Sequence, residues 1–307
     1  MEKKLISVLI PVYMNEGSLH RTYIELKRIL NQVSDMYSYE IIFVNDGSTD
    51  NSLKEIRSIS EIDNCVRIVN FTRNFGQVAA IHAGFDNAKG DIIVNISADM
   101  QDPVQLILQM LEKWEEGYMI VACERSSRED SFISKITSKL FYRIIKKSEH
   151  YMPVGGFDYF LLDRCVYENI AKSNQRNTFL QGDILWFGYT PYFIPYERQK
   201  RLLGKSMWNL WKKIKYFIDG VIYTSYLPIR LMSFIGIITS LLGLCYAVIV
   251  FIAWLLNETP FTGYAPIIIT LLIVSGLIMI MLGIIGEYLW RTYDQVRGRP
   301  RYIVKED

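Results

Sequence analysis

Where the apolar run Ile92-Ile93-Val94 gives out, the chain releases Asn95-Ile96-Ser97-Ala98-Asp99-Met100-Gln101-Asp102 before Pro103 opens a new helical pattern. Asp99, Gln101 and Asp102 are hard oxygen donors, suited to Mg²⁺ or Mn²⁺ bridging a diphosphate. In isolation, an acidic turn with Asp102 capping the next helix would look the same. Three more polar turns accompany it. Pro11-Val12-Tyr13-Met14-Asn15-Glu16 follows the first apolar run, Asn45-Asp46-Gly47-Ser48-Thr49-Asp50 the second, and Thr72-Arg73-Asn74-Phe75-Gly76 the third. Asp46 could accept the N3–H of a uracil while Tyr13 or Phe75 packs against the ring, and Arg73 could sit near phosphate. Asp-Gly is also an ordinary turn and Asp50 an ordinary N-cap, so each turn alone is ambiguous. Four in succession read better as the lining of one crevice.

To face one ligand, these turns must leave the same edge of one sheet. Leu5 to Pro11 reads as a strand and Glu16 to Val33 as an amphipathic helix. Glu40 to Asn45 is a continuous apolar strand, followed by a helix from Asp50 to Ser60 that the aspartate caps. Strand Val66 to Phe71, helix Gly76 to Asn87, strand Ile92 to Ile96, helix Pro103 to Glu116 and strand Met119 to Cys123 continue the alternation. Unbroken apolar strands separated by helices predict an α/β fold with a mostly parallel sheet covered on both faces. Ligands of such sheets bind beyond the carboxyl ends of the strands. No G-x-G-x-x-G follows the first strand and no G-x-x-x-x-G-K-S/T occurs, which disfavours a dinucleotide oxidoreductase and a P-loop NTPase.

The 307 residues leave room for an appendage. Lys and Arg number 34 against 32 Asp and Glu, a net charge of +2 that gives no global signal for nucleic acid. Cys65, Cys123, Cys165 and Cys245 lack metal-ligand spacing and read as free thiols. Leu231 to Leu256 and Ala265 to Gly286 carry no charge. They would reach roughly 39 and 33 Å as helices, enough for a hydrocarbon core of about 30 Å. Asn257 to Tyr264 between them has no Lys or Arg, whereas Lys212, Lys213, Lys215 and Arg230 precede the pair and Arg291, Arg297, Arg299, Arg301 and Lys305 follow it. The positive-inside rule then puts both termini and the first domain in the cytoplasm, with a multi-pass hairpin in the cell membrane. Ser206 to Tyr223 and Ile133 to Lys147 place Lys and Arg opposite apolar stripes, as helices lying in the headgroup layer do; a helix packed on the sheet would look similar. Arg198, Arg201 and Lys205 are spaced to cluster on a loop and clamp a phosphate. The expected organisation is a domain over 1–205, an interfacial helix over 206–229, two spanning helices over 230–290 and a basic tail over 291–307. Two spanning helices leave room for self-association.

IPVYMNE, VNDGSTDNS, FTRNFG, SADMQDP, GGFDYFLLDR, ERQKRLLGKS and the terminal GEYLWRTYDQVRGRPRYIV occur in this order from Ser7 to Val304. In this the chain resembles glycosyltransferase family 2, and within it the polyprenyl-phosphate glycosyltransferases, the group of dolichol-phosphate mannose synthases and bactoprenol glucosyltransferases. The resemblance implies a GT-A-type domain in which Pro11, Tyr13, Glu16, Asp46 and Arg73 hold the nucleotide. It places Asp99 and Gln101 on the metal and diphosphate, Arg125 near the diphosphate after the fifth strand, and Asp158 as the aspartate that positions the acceptor or serves as base. Two departures stand out. Ser97 replaces the first carboxylate of the usual D-x-D-x-Q, beside the donor, and Lys205 is displaced by two residues from the lysine of G-x-S-K. The implied activity is inverting transfer of glucose or N-acetylglucosamine from a UDP-sugar to undecaprenyl or another polyprenyl phosphate, for the cell envelope. A processive polysaccharide synthase is disfavoured by the missing Q-x-x-R-W. A non-catalytic membrane sensor of nucleotide sugars is the reading that Ser97 keeps open.

Overall fold

The computed structural model of the protein describes residues 3–125, 151–153, 156–173, 179–198, 227–256 and 265–305. The stretches 133–147 and 206–223, Arg201, Lys205 and the link 257–264 lie outside the described residues. The chain divides into two compact units, Met1–Gly220 with Arg299–Asp307, and Val221–Gly298.

In the first unit the elements run β1 (Lys4–Val12), α1 (Leu19–Asn31), β2 (Tyr37–Asn45), α2 (Ser52–Ile62), β3 (Val66–Asn70), α3 (Gln77–Asn87), β4 (Ile92–Asn95), α4 (Leu106–Glu115) and β5 (Ile120–Arg125). Then come β6 (Tyr159–Asp163), α5 (Arg164–Lys172), α6 (Leu180–Trp186) and β7 (Pro191–Tyr196). The seven strands form one sheet in the order β3-β2-β1-β4-β6-β5-β7. β1 pairs parallel with β2 and β4, β2 with β3, and β5 with β7; β6 alone runs antiparallel to both its neighbours. Period-2 geometry sends Ile6, Val8 and Ile10 into one core with Leu19, Leu26 and Ile29 of α1, Ile56 of α2 and Ile107 of α4. Leu9 points to the opposite face, where α3 crosses so closely that a Cβ on Gly84 would sit 2.3 Å from the Leu9 Cδ1.

Several predicted boundaries move by a few residues, three of them beside the site. The first helix starts at Leu19 rather than Glu16, because Gly17 takes a φ of 84° in a turn. The helix expected from Pro103 begins at Leu106. The fifth strand extends through Arg125, so that arginine closes the strand instead of following it. In the second unit, α7 (Leu227–Leu255) and α8 (Ala265–Val296) contain spans, Pro228–Ile252 and Ile273–Val296, long and apolar enough to cross a membrane. Neither window is buried; Phe234, Leu242 and Met279 are among the exposed apolar side chains.

Candidate active site

β1 sits at the centre of the order β3-β2-β1-β4, so the chain builds outward on one side of it and then crosses to the other. The gap between β1 and β4 at their carboxyl ends is a topological switch point, where loops diverge and leave a crevice. The turn after β1 and the acidic turn after β4 flank it. Met14 (φ 55°) and Met100 (φ 58°) are the two non-glycine residues in the left-handed region among the described residues, one in each turn. Left-handed backbone at a side chain bearing Cβ costs energy and persists only where neighbours hold it.

Those neighbours are specific. Ser18 Oγ and Thr22 Oγ1 donate to the Ala98 carbonyl at 2.9 and 3.2 Å, tying α1 to the acidic turn. Met14 N–H donates to Ser48 Oγ and Asn15 N–H to Ser52 Oγ, tying the first turn to the second. Glu16 belongs to the same tie: its carboxylate accepts from Asn51 N and Nδ2. Asp50 spans the same two turns, accepting from Ser52 N and Glu16 N, while Asn51 takes the N-cap position expected of Asp50. Asn45, Asn70 and Asn95 each end a strand and are all buried. Asn45 Nδ2 donates to Asn70 Oδ1 at 2.9 Å, and Asn95 Nδ2 to the Asp158 carbonyl at 2.7 Å.

Asp46 ties the second turn to the third. Its Oδ1 accepts from Phe75 N–H at 2.6 Å and its Oδ2 from Gly76 N–H at 3.0 Å. Burial raises its pKa, against the lowering effect of those two N–H groups and of the Arg73 charge. Each oxygen keeps a second lone pair. Gly47 (φ 64°) lies so close to the third turn that a Cβ would be 2.3 Å from the Arg73 carbonyl carbon. The Arg73 guanidinium lies 4.1 Å over the Phe75 ring, and Tyr13 is 37% exposed at the end of β1, an open aromatic face. Pro11, paired with Val44, is part of β1 itself.

On the acidic side the donors divide. Asp99 Oδ1 accepts from Gln101 N–H at 3.2 Å. Asp102 is not a helix cap. Its Oδ2 accepts from Ser97 Oγ at 2.5 Å and its Oδ1 from Tyr196 OH at 2.7 Å, with Arg198 Nε 3.6 Å away. Ser97 and Asp102 are thus turned toward each other, and Asp99 and Gln101 are the other two hard oxygen donors of the turn. Among the described residues no group of three His, Cys, Asp or Glu could hold a metal unaided. A carboxylate and an amide fit a cation that draws its other ligands from water and a substrate diphosphate, as Mg²⁺ commonly does.

Arg125 Nη2 donates to Asp158 Oδ2 at 3.0 Å, and Gln181 Nε2 donates to Asp158 Oδ1 at 3.2 Å and to the Phe157 carbonyl at 2.7 Å. Burial opposes the Arg125 charge, but Asp158 and Tyr196 outweigh it and its pKa is raised. Burial, then Asp102, pushes the Tyr196 phenol up. Sequence reading missed Tyr196 and Gln181, which lie in unremarkable stretches far from their partners, and a tail described below.

A mixed sheet with four polar turns at its carboxyl edge, the fourth an oxygen-donor turn at the switch point, is the arrangement of a GT-A-type glycosyltransferase domain. Residues 7–199 match the model of glycosyl transferase family 2, and the chain belongs to that family. A Bacillus subtilis protein described as an uncharacterized glycosyltransferase, YkcC, is 39% identical across 98% of this chain and 93% of its own length. The bactoprenol glucosyl transferase of Shigella phage SfII is 33% identical across 98% of this chain and 97% of its own. Among solved structures, glucosyl-3-phosphoglycerate synthase from Mycobacterium tuberculosis with Mn²⁺, UDP and phosphoglyceric acid is 17% identical, covering 72% of this chain and 77% of that one at a TM-score of 0.49. That likeness is too loose to carry ligands over.

Proposed function

We propose that this glycosyltransferase moves one sugar, glucose or N-acetylglucosamine, from a UDP-sugar to undecaprenyl phosphate or a similar polyprenyl phosphate, from the cytoplasmic face of the cell membrane. The observation that carries the reading is the meeting of the Asp46–Phe75 turns, the Asp99 turn and the Arg125–Asp158 pair at one sheet edge, in a chain that also holds two span-length apolar helices. The name of the phage relative supports the lipid acceptor.

In this scheme uracil packs by Phe75 and Tyr13 and pairs with Asp46, while Arg73 meets phosphate. Mg²⁺ or Mn²⁺ held by Asp99 and Gln101 would neutralise the diphosphate. The acceptor is a phosphomonoester, whose second pKa near 6 leaves its oxygen anionic at pH 7, so little is gained from a general base. Asp158, engaged by Arg125 and Gln181, suits a positioning role better than proton abstraction. The phosphate oxygen bonds to the anomeric carbon from the face opposite the leaving group, the bond to the diphosphate breaks, and UDP departs with the electron pair. Arg125 stabilises that charge, and Arg198, with Arg201 and Lys205, holds the incoming anion.

The test is incubation of detergent-solubilised protein with UDP-sugars, polyprenyl phosphate and Mn²⁺. A lipid-linked monosaccharide is expected. A polymer would favour a processive synthase, and nucleotide binding without turnover a sensor.

A further inference from the structure

After α8 ends at Val296, the chain turns at Gly298 (φ 63°) and residues 299–307 belong to the first unit, with β3 and the nucleotide turns. β3 is an edge strand, whose outer N–H and C=O groups need a partner or water. The tail covers its carboxyl end: Thr72 N–H donates to the Ile303 carbonyl at 3.0 Å and Lys305 N–H to the Asn70 carbonyl at 2.7 Å, around an antiparallel bridge between Phe71 and Val304. Side chains lock the same register. The Tyr302 ring stacks on Phe71 at 4.9 Å with an interplanar angle of 16°, and its hydroxyl donates to Asp86 at 2.8 Å. Phe71 in turn meets the Phe75 ring edge-on at 5.7 Å. Arg301 reaches the buried His82 Nδ1 at 2.9 Å and the Ser173 carbonyl at 2.9 Å, joining α3 to the end of α5.

A tail needed only to blunt an edge would not have to reach the ring that leads to the base pocket. We propose that residues 301–305 are a positioning strap for the donor nucleotide: Tyr302 presses Phe71 against Phe75, and thereby sets the plane on which the base packs and the turn that Asp46 holds. Tyr302 and Arg301 are positioning residues that touch no substrate. The inference rests on the nucleotide reading of the Asp46–Phe75 pocket given above, and it adds that the segment after the second apolar helix completes that pocket.

The experiment uses the full-length protein in detergent, UDP alone as the binding probe, and steady-state kinetics with UDP-sugar and polyprenyl phosphate. Tyr302→Ala is expected to weaken UDP binding and raise the donor KM by about tenfold, with kcat and the acceptor KM within about twofold of wild type. Tyr302→Phe, which keeps the stack and loses only the hydroxyl, is expected to restore UDP affinity to near wild type. Lys305→Pro, which deletes the N–H donated to Asn70, is expected to fall between them. Thermal melting verifies that each variant is folded. If wild type binds UDP and folded Tyr302→Ala binds it equally well, or if the variant loses kcat with its donor KM intact, the strap is refuted while the nucleotide pocket stands. If wild type does not bind UDP, the nucleotide reading and the strap fall together.

Discussion

Asp102 is engaged by Ser97 and Tyr196, and Asp99, whose Oδ1 accepts from Gln101 N–H, is the carboxylate of the acidic turn that we assign to the metal. Asp99→Ala should therefore abolish transfer while leaving the fold intact, measured as lipid-linked product per unit of folded protein; near-full activity would remove the metal assignment. Arg201→Ala should raise the KM of the lipid phosphate more than that of the nucleotide sugar, and the opposite split would misplace the acceptor. His82 offers a pH test. Burial, then the Arg301 charge, pushes its pKa down to about 3 from 6.5. The fold keeps this imidazole neutral while the unfolded chain protonates it below pH 6.5. Its contribution to stability is thus fully present above pH 6.5 and is lost as pH falls from 6.5 toward 3. His82→Gln should lose stability less steeply than wild type across that window, followed as melting temperature against pH. A parallel fall in both proteins would show that His82 is not held neutral.

Among the elements, the second and third turns are built against each other with no space to spare. A methyl on Gly47 would meet backbone atoms of Arg73 and Asn74, at a φ of 64° that a side chain rarely adopts. Gly47→Ala should destabilise the domain by about 1–3 kcal/mol and weaken UDP binding, because the shift falls on the turn that presents Phe75. Calorimetric melting with and without UDP checks both effects; an unchanged UDP affinity would mean that the third turn does not touch the nucleotide. Most elements were legible because burial on both sheet faces demands unbroken apolar strands, and Ile41 to Val44 and Ile92 to Val94 supply them. The helix starts were less so. Glu16 and Asp50 have the composition of helix beginnings, but their side chains tie one turn to the other, a demand that only appears once β1 and β2 lie side by side.

For the whole molecule, exposed apolar side chains along α7 and α8 require something other than water to cover them. Deleting residues 228–296 should move the protein from the membrane fraction to the soluble fraction on cell lysis, as followed by immunoblot after an alkaline wash. Retention in the membrane would reassign the anchor to another part of the chain.

Most strands and helices, turn chemistry, the oxygen-donor turn and the family followed from local residue types, because hydropathy period and motif order are properties of neighbours in sequence. The division of labour inside the site did not. The pairing of Ser97 with Asp102 inside the acidic turn is completed by Tyr196 at the end of β7 and by Arg198 just after it. The role of the tail depended on β3 lying at the sheet edge, where Tyr302 meets a phenylalanine more than two hundred residues away. Contacts at that separation are set by the order of strands in space, and no local pattern of side chains encodes them.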